Sequence, residues 1–129
     1  MNASTDLDTL TGFFDRYGAA LTAGDLPSLG GCYALPGLVV ADTYSFSFTS
    51  LAAVALSFVG AAPDYQDREL SAAHARIEDV QPVSALLTLV SLEWEFLDSQ
   101  GRSVPGERYR YLLRTSAEGP LICTVVRMA

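Results

Sequence analysis

At 129 residues, half of them hydrophobic, the chain is long enough to bury one substantial core and too apolar to remain disordered. A formal net charge of −7 with no lysine removes the basic footprint that a nucleic-acid partner requires. The longest apolar run, LAAVALSFVGAA at residues 51 to 62, falls short of the roughly 20 residues of a membrane span, and MNASTDLDTL lacks the charged and apolar segments of a leader, so the expectation is a single cytoplasmic domain over residues 1–129.

Residues 6 to 23, DLDTLTGFFDRYGAALTA, carry Leu7, Leu10, Phe13, Phe14, Tyr17 and Leu21 at helical spacing behind the capping candidates Thr5 and Asp6. Gly24 breaks this amphipathic helix. Asp25 and Pro27 then start a short second one, expected to reach about Tyr33 and to be closed by Pro36 and Gly37. LVVAD reads as a short buried strand, and YSFSF as another whose Tyr44, Phe46 and Phe48 make one apolar face. Thr49 or Ser50 caps a third helix over residues 51 to 61, ended by Pro63. From Glu69 onward the pattern is β, in segments at about 70 to 80, 84 to 97, 106 to 116 and 120 to 128, which predicts an antiparallel meander. Helices first and a curved sheet after is the α+β arrangement in which helices cover one sheet face. Cys32 and Cys123 lie far apart in no CxxC or Cys/His cluster and read as reduced, buried thiols, so no metal is called for.

Strand parity divides LVSLEWEFLDSQGRSVPGERYRYLLR into two faces. Leu92, Trp94 and Phe96 fall on one with Tyr109, Tyr111 and Leu113; Glu93 and Glu95 fall on the other with Arg108, Arg110 and Arg114. A register that sets Glu93 against Arg110, Glu95 against Arg108, Trp94 against Tyr109 and Leu92 against Tyr111 satisfies both faces, at about 0.2–1 kcal/mol per cross-strand pair. The charged face is expected to look outward and the aromatic one toward the helices. Those aromatics either fill the core or line a half-open pocket, where a phenol offers an apolar ring and a polar tip.

The bent helix pair meeting at AGDL, the aromatic FFDRY, the apolar strand after YALP, the third helix and the four-stranded meander together resemble the nuclear transport factor 2-like superfamily. That superfamily includes ketosteroid isomerase, SnoaL-like polyketide cyclases and scytalone dehydratase. The resemblance covers nearly the whole chain. It implies a cone-shaped pocket between a curved antiparallel sheet and the helices, and a homodimer. It also implies, through RYGAALTAGD, that Tyr17 stands where the isomerase tyrosine donates to the substrate oxyanion. Asp42 lies one position from the place of that family's proton-shuttling base, and His74 has counterparts in the pocket histidines of some cyclases and dehydratases. The second oxyanion donor, an acid on a late strand, has no match: its position falls near Glu107 or Arg108.

Asp42 keeps two readings, a turn residue bonding its own backbone in ADTYS or a general base whose carboxyl is raised by apolar surroundings. His74, the single histidine, shares its parity with Leu70, Ala72 and Arg76, a mixed face that does not decide between pocket and exterior. The leading expectation is a binding domain for a small apolar ligand, held by Phe14, Phe46, Trp94, Tyr109 and Tyr111. If catalytic, it would transfer a proton in, or dehydrate or cyclise, an apolar carbonyl compound through Asp42, His74 and Tyr17, without a cofactor. The rival is a non-catalytic dimerisation or protein-binding module with a filled cone.

Overall fold

The computed structural model describes residues 6–57 and 70–128. Helix α1 spans Leu7–Ala23 and buries the stripe Leu10, Phe13, Phe14, Tyr17 and Leu21. Asp6 caps it, its carboxylate accepting the Thr9 N–H at 2.7 Å, a bond that holds the Asp6 carboxyl below its usual range. Gly24 ends the helix at φ 69°, a left-handed conformation that a residue without a Cβ adopts at little cost. Helix α2, Leu26–Gly30, begins as predicted, the Asp25 carboxylate accepting the Ser28 hydroxyl at 2.6 Å.

Strand β1, Tyr33–Val40, starts where the second helix was expected to continue. The reason is a partner far along the chain: the Cys32 carbonyl accepts the Ile122 N–H at 2.8 Å, and Tyr33 pairs with Ile122. Pro36 and Gly37 do not stop this strand. They fall in an irregularity of its pairing between Tyr33 and Leu38, the sort of place where a strand tolerates proline. Strand β2 is Ser45–Phe48 and helix α3 is Leu51–Ser57, capped by the Ser50 hydroxyl, which accepts the Ala53 N–H at 3.1 Å. The rest of the predicted third helix, to residue 61, and its stop at Pro63 lie outside the described residues.

Strands β3 (Leu70–Pro82), β4 (Leu87–Asp98), β5 (Ser103–Ser116) and β6 (Gly119–Met128) form the expected meander. The six strands make one sheet in the order β2-β1-β6-β5-β4-β3. Every pairing is antiparallel except β1 with β6, which is parallel, so the sheet is mixed rather than wholly antiparallel. The long connection that a parallel pair requires is supplied by α3 and the other four strands of the sheet itself.

The β4–β5 register differs by two residues from the expected one: Glu93 faces Arg108, Leu92 faces Tyr109 and Val90 faces Tyr111. Asp98 tightens the turn, its carboxylate accepting the Gln100 and Arg102 N–H groups at 2.9 Å each, so β5 begins at Ser103. Pro105 and Gly106 then lie inside the strand, where Gly106 and Glu107 bulge opposite Trp94. A Cβ on Gly106 would collide with the Trp94 carbonyl and come within 2.6 Å of the Phe96 ring. A two-residue shift preserves parity, so the faces are as expected. Outside, Arg108 pairs with Glu78 at 2.9 Å and Glu93 at 3.4 Å, and Arg76 with Glu93 at 3.4 Å.

Helix α1 lies on the inner face. It approaches β3 so closely that a Cβ on Gly18 would stand 2.8 Å from the Ala73 carbonyl oxygen and 3.1 Å from the Trp94 ring. Cys32 is half-buried and Cys123 buried, both free.

Candidate functional site

Cross-strand partners share a sheet face, and the pairing therefore traces the inner face strand by strand. One row runs Phe46, Val39, Val125, Tyr111, Val90. In the next row, toward the rim, Arg127 faces Tyr109 and Tyr109 faces Leu92. Tyr44 sits beside them, its carbonyl accepting the Ala41 N–H at 2.8 Å across the β1–β2 turn.

Under α1 this face is sealed. Tyr17 stacks on Trp94 with ring centres 5.8 Å apart, and Phe14 leans on Tyr111 at 5.1 Å. The Tyr17 and Tyr33 hydroxyls share a hydrogen bond of 2.8 Å, and the Trp94 indole N–H donates to the Tyr111 hydroxyl at 3.0 Å. Tyr17 is only 3 % exposed. Desolvation pushes the Tyr17 and Tyr33 phenols far above their ordinary range, with neighbouring Tyr33 adding to the rise at Tyr17. Among the described residues no buried side-chain nitrogen or oxygen lacks a hydrogen-bond partner, and no carboxylate or imidazole is buried.

At the β1–β2 edge the same face opens. Along β2 and the turn before it, exposure climbs from 2 % at Phe48 to 40 % at Phe46 and 47 % at Tyr44, although the three rings form a continuous ladder with centres 5.2 and 6.1 Å apart. The ladder ends at a cleft of about 580 Å³ at the rim of the sheet, whose walls include Asp42, Tyr44, Glu107 and Arg127, together with Glu93, Arg108 and Met128 from the outer face. Glu107 organises this rim: one carboxylate oxygen accepts from Arg127 at 2.5 Å and the other from the Tyr109 hydroxyl at 2.6 Å. A hydrogen bond to Tyr44, then the charge of Glu107, raises the Arg127 pKa further above its already high value.

The candidate residues fall into separate places. Phe14, Tyr17, Trp94 and Tyr111 are together in the sealed end, while Tyr109 is half-buried and Phe46 exposed on the open part of the same face. Asp42 is exposed in the turn between β1 and β2. His74 is exposed and paired with Glu95, whereas its neighbour Ala75 pairs with buried Trp94, so the imidazole belongs to the outer face. Four strand spacings separate β1 from β3, about 19 Å along the sheet at about 4.8 Å each. Asp42, Tyr17 and His74 are thus not brought together.

Tyr44, Glu107 and Arg127 were not among the site candidates read from the sequence. Parity alone aligns Arg127 with Val125 and Glu107 with Tyr109, which was the available signal. Their meeting depends on the parallel β1–β6 pairing and the bulge at Gly106, and neither leaves a local mark.

Residues 8–129 match the family described as NTF2-like protein (DUF6841), and the chain belongs to that family. The fold is shared with an NTF2-like protein of unknown function from Shewanella oneidensis, 13 % identical, with 93 % of this chain and 96 % of that one covered and a TM-score of 0.71. It is shared equally with a cystatin-fold domain of unknown function from Nostoc punctiforme, 13 % identical over 97 % and 78 % of the two chains, TM-score 0.72. A ketosteroid isomerase-like protein from Erwinia carotovora atroseptica is 17 % identical over 97 % and 99 %, TM-score 0.59. At these identities the likeness is one of fold alone. No curated protein sequence matches.

Proposed function

We propose that this NTF2-like protein is a small-molecule-binding domain that takes an apolar ligand on the open rim of its inner sheet face, with the sealed aromatic end as scaffold. The supporting observation is the exposure gradient along one ladder of rings, from 2 % at Phe48 to 47 % at Tyr44, ending at a cleft lined by hydrogen-bonding groups. Ligand sites combine apolar walls with a few fixed polar groups, and Phe46, Tyr44 and Tyr109 beside Glu107 and Arg127 have that composition. The reading is one of binding rather than turnover. Proton transfer needs a base within about 3 Å of the proton it takes, and beside Tyr17 the hydrogen-bond partner is another neutral phenol, Tyr33.

The test is an amide NMR titration with acetophenone, an apolar carbonyl compound. Shifts should centre on residues 41–46, Tyr109 and Arg127 and vanish in Tyr44→Ala. A response confined to other residues, or none, would overturn the rim site.

One observation favours a second, compatible role for the opposite face. Leu38, Thr124, Leu112 and Leu89 form an outward row across four strands, flanked by Val40 and Val126, and Leu38 is 40 % exposed. An aliphatic row on a sheet surface suits self-association. Sedimentation of Leu112→Glu beside wild type tests it: a dimer that becomes monomeric supports the role, and a wild-type monomer removes it.

A further inference from the structure

We infer that the rim cleft selects an organic cation, an ammonium or similar group carried on an apolar body, with Asp42 as its counter-ion. This rests on the binding reading above and adds the sign of the ligand's charge.

Three carboxylates and two guanidiniums line the cleft: Asp42, Glu93 and Glu107 against Arg108 and Arg127. The pairs are assigned. Arg127 is held by Glu107, and Arg108 is held between Glu93 and Glu78. Both oxygens of Glu107 are occupied, one by Arg127 and one by the Tyr109 hydroxyl. Asp42 is the remaining charge, exposed in the β1–β2 turn, and among the described residues no ion pair reaches it.

An anion entering this cleft would meet a net negative lining, and its natural anchor, Arg127, is already bonded to Glu107 and Tyr44. The whole molecule opposes it as well, since a net charge of −7 repels anions and draws cations toward the surface. A cation meets the opposite conditions. It gains the Asp42 carboxylate, and two residues on it gains the half-exposed face of Tyr44, whose ring attracts positive charge. Its apolar body would continue along the ladder toward Phe46, stacked on Tyr44 at 6.1 Å. Asp42 would then act in binding, as an electrostatic anchor in open water.

Three probes of one shape and different charge separate the possibilities: benzylammonium, benzyl alcohol and benzoate, titrated at low salt into wild type and into Asp42→Asn. Asparagine suits the same turn, and an unchanged spectrum away from residues 40–46 confirms the variant's fold. The expected result is tightest binding of benzylammonium, weakened roughly two- to fivefold in Asp42→Asn, with benzyl alcohol indifferent to the substitution. Benzoate binding as tightly as benzylammonium, or benzylammonium unaffected by Asp42→Asn, would overturn the cation assignment while leaving a rim site for neutral molecules. Failure of all three probes to shift the rim would overturn the cation assignment and the binding reading together.

Discussion

Phe48 and Phe46 are two residues apart on one strand and point to one face, yet the first is sealed and the second is two-fifths exposed. The same contrast holds across the inner face as a whole. At Trp94 and Tyr111 the aromatic groups are capped by α1 through Tyr17, and the helix lies close because Gly18 lets its backbone approach Ala73. At Tyr44, Phe46 and Tyr109 equally aromatic groups are exposed or half-buried, and Tyr44 borders the cleft. Both regions are rich in aromatic rings, so what separates scaffold from site is which part of the sheet is covered and where charged groups join the rings.

The contrast should be largest in stability. Trp94→Ala removes a ring buried against Tyr17 and Phe14 and should cost about 3–5 kcal/mol, read as a fall in denaturation midpoint. Tyr44→Ala should stay within about 0.5 kcal/mol of wild type. Comparable losses for both variants would break the distinction. Gly18→Ala comes next: its new Cβ meets the Ala73 backbone oxygen, which cannot swing aside, and overpacking of this kind costs about 1–3 kcal/mol. A neutral outcome there would mean that α1 is not clamped to β3.

The phenol pair gives a finer test. Tyr17→Phe removes the hydrogen bond between the two hydroxyls and should cost about 0.5–1.5 kcal/mol, while the double change should cost less than the two single changes summed. The pair also predicts alkaline behaviour. Both phenols have folded pKa values raised by burial, so the folded state holds protons that the unfolded state releases above about pH 10. Their contribution is therefore complete below that pH and declines as pH rises further, by about 1.4 kcal/mol per pH unit for each phenol while it remains protonated only in the folded state. Wild type should melt earlier above pH 10, and the double phenylalanine variant should lose less over the same interval.

Much of the scaffold was legible in the sequence because its signals are local. The stripe Leu10, Phe13, Phe14, Tyr17 and Leu21 marks α1, and the alternation around Trp94 assigns both faces of β4 correctly even though the register is two residues away. The register was hidden because Pro105 and Gly106, ordinarily strand breakers, lie within the strand, Pro105 paired with Glu95 and Gly106 in a bulge. The early start of β1 was hidden because Tyr33 is held by Ile122, nearly ninety positions later. The rim is hard to read for the same reason. Tyr44, Glu107 and Arg127 come from three distant segments, and only the assembled sheet makes them neighbours. His74 had an undecided parity that one cross-strand partner, Glu95, resolves.

The most direct test of the division between scaffold and site is the affinity of benzylammonium for the Tyr17→Phe/Tyr33→Phe double variant at a temperature where it remains folded. A ligand seated at the rim touches neither phenol, and the affinity should match wild type. A loss of tenfold or more would place the ligand against the buried hydroxyls and contradict a purely structural role for the sealed end.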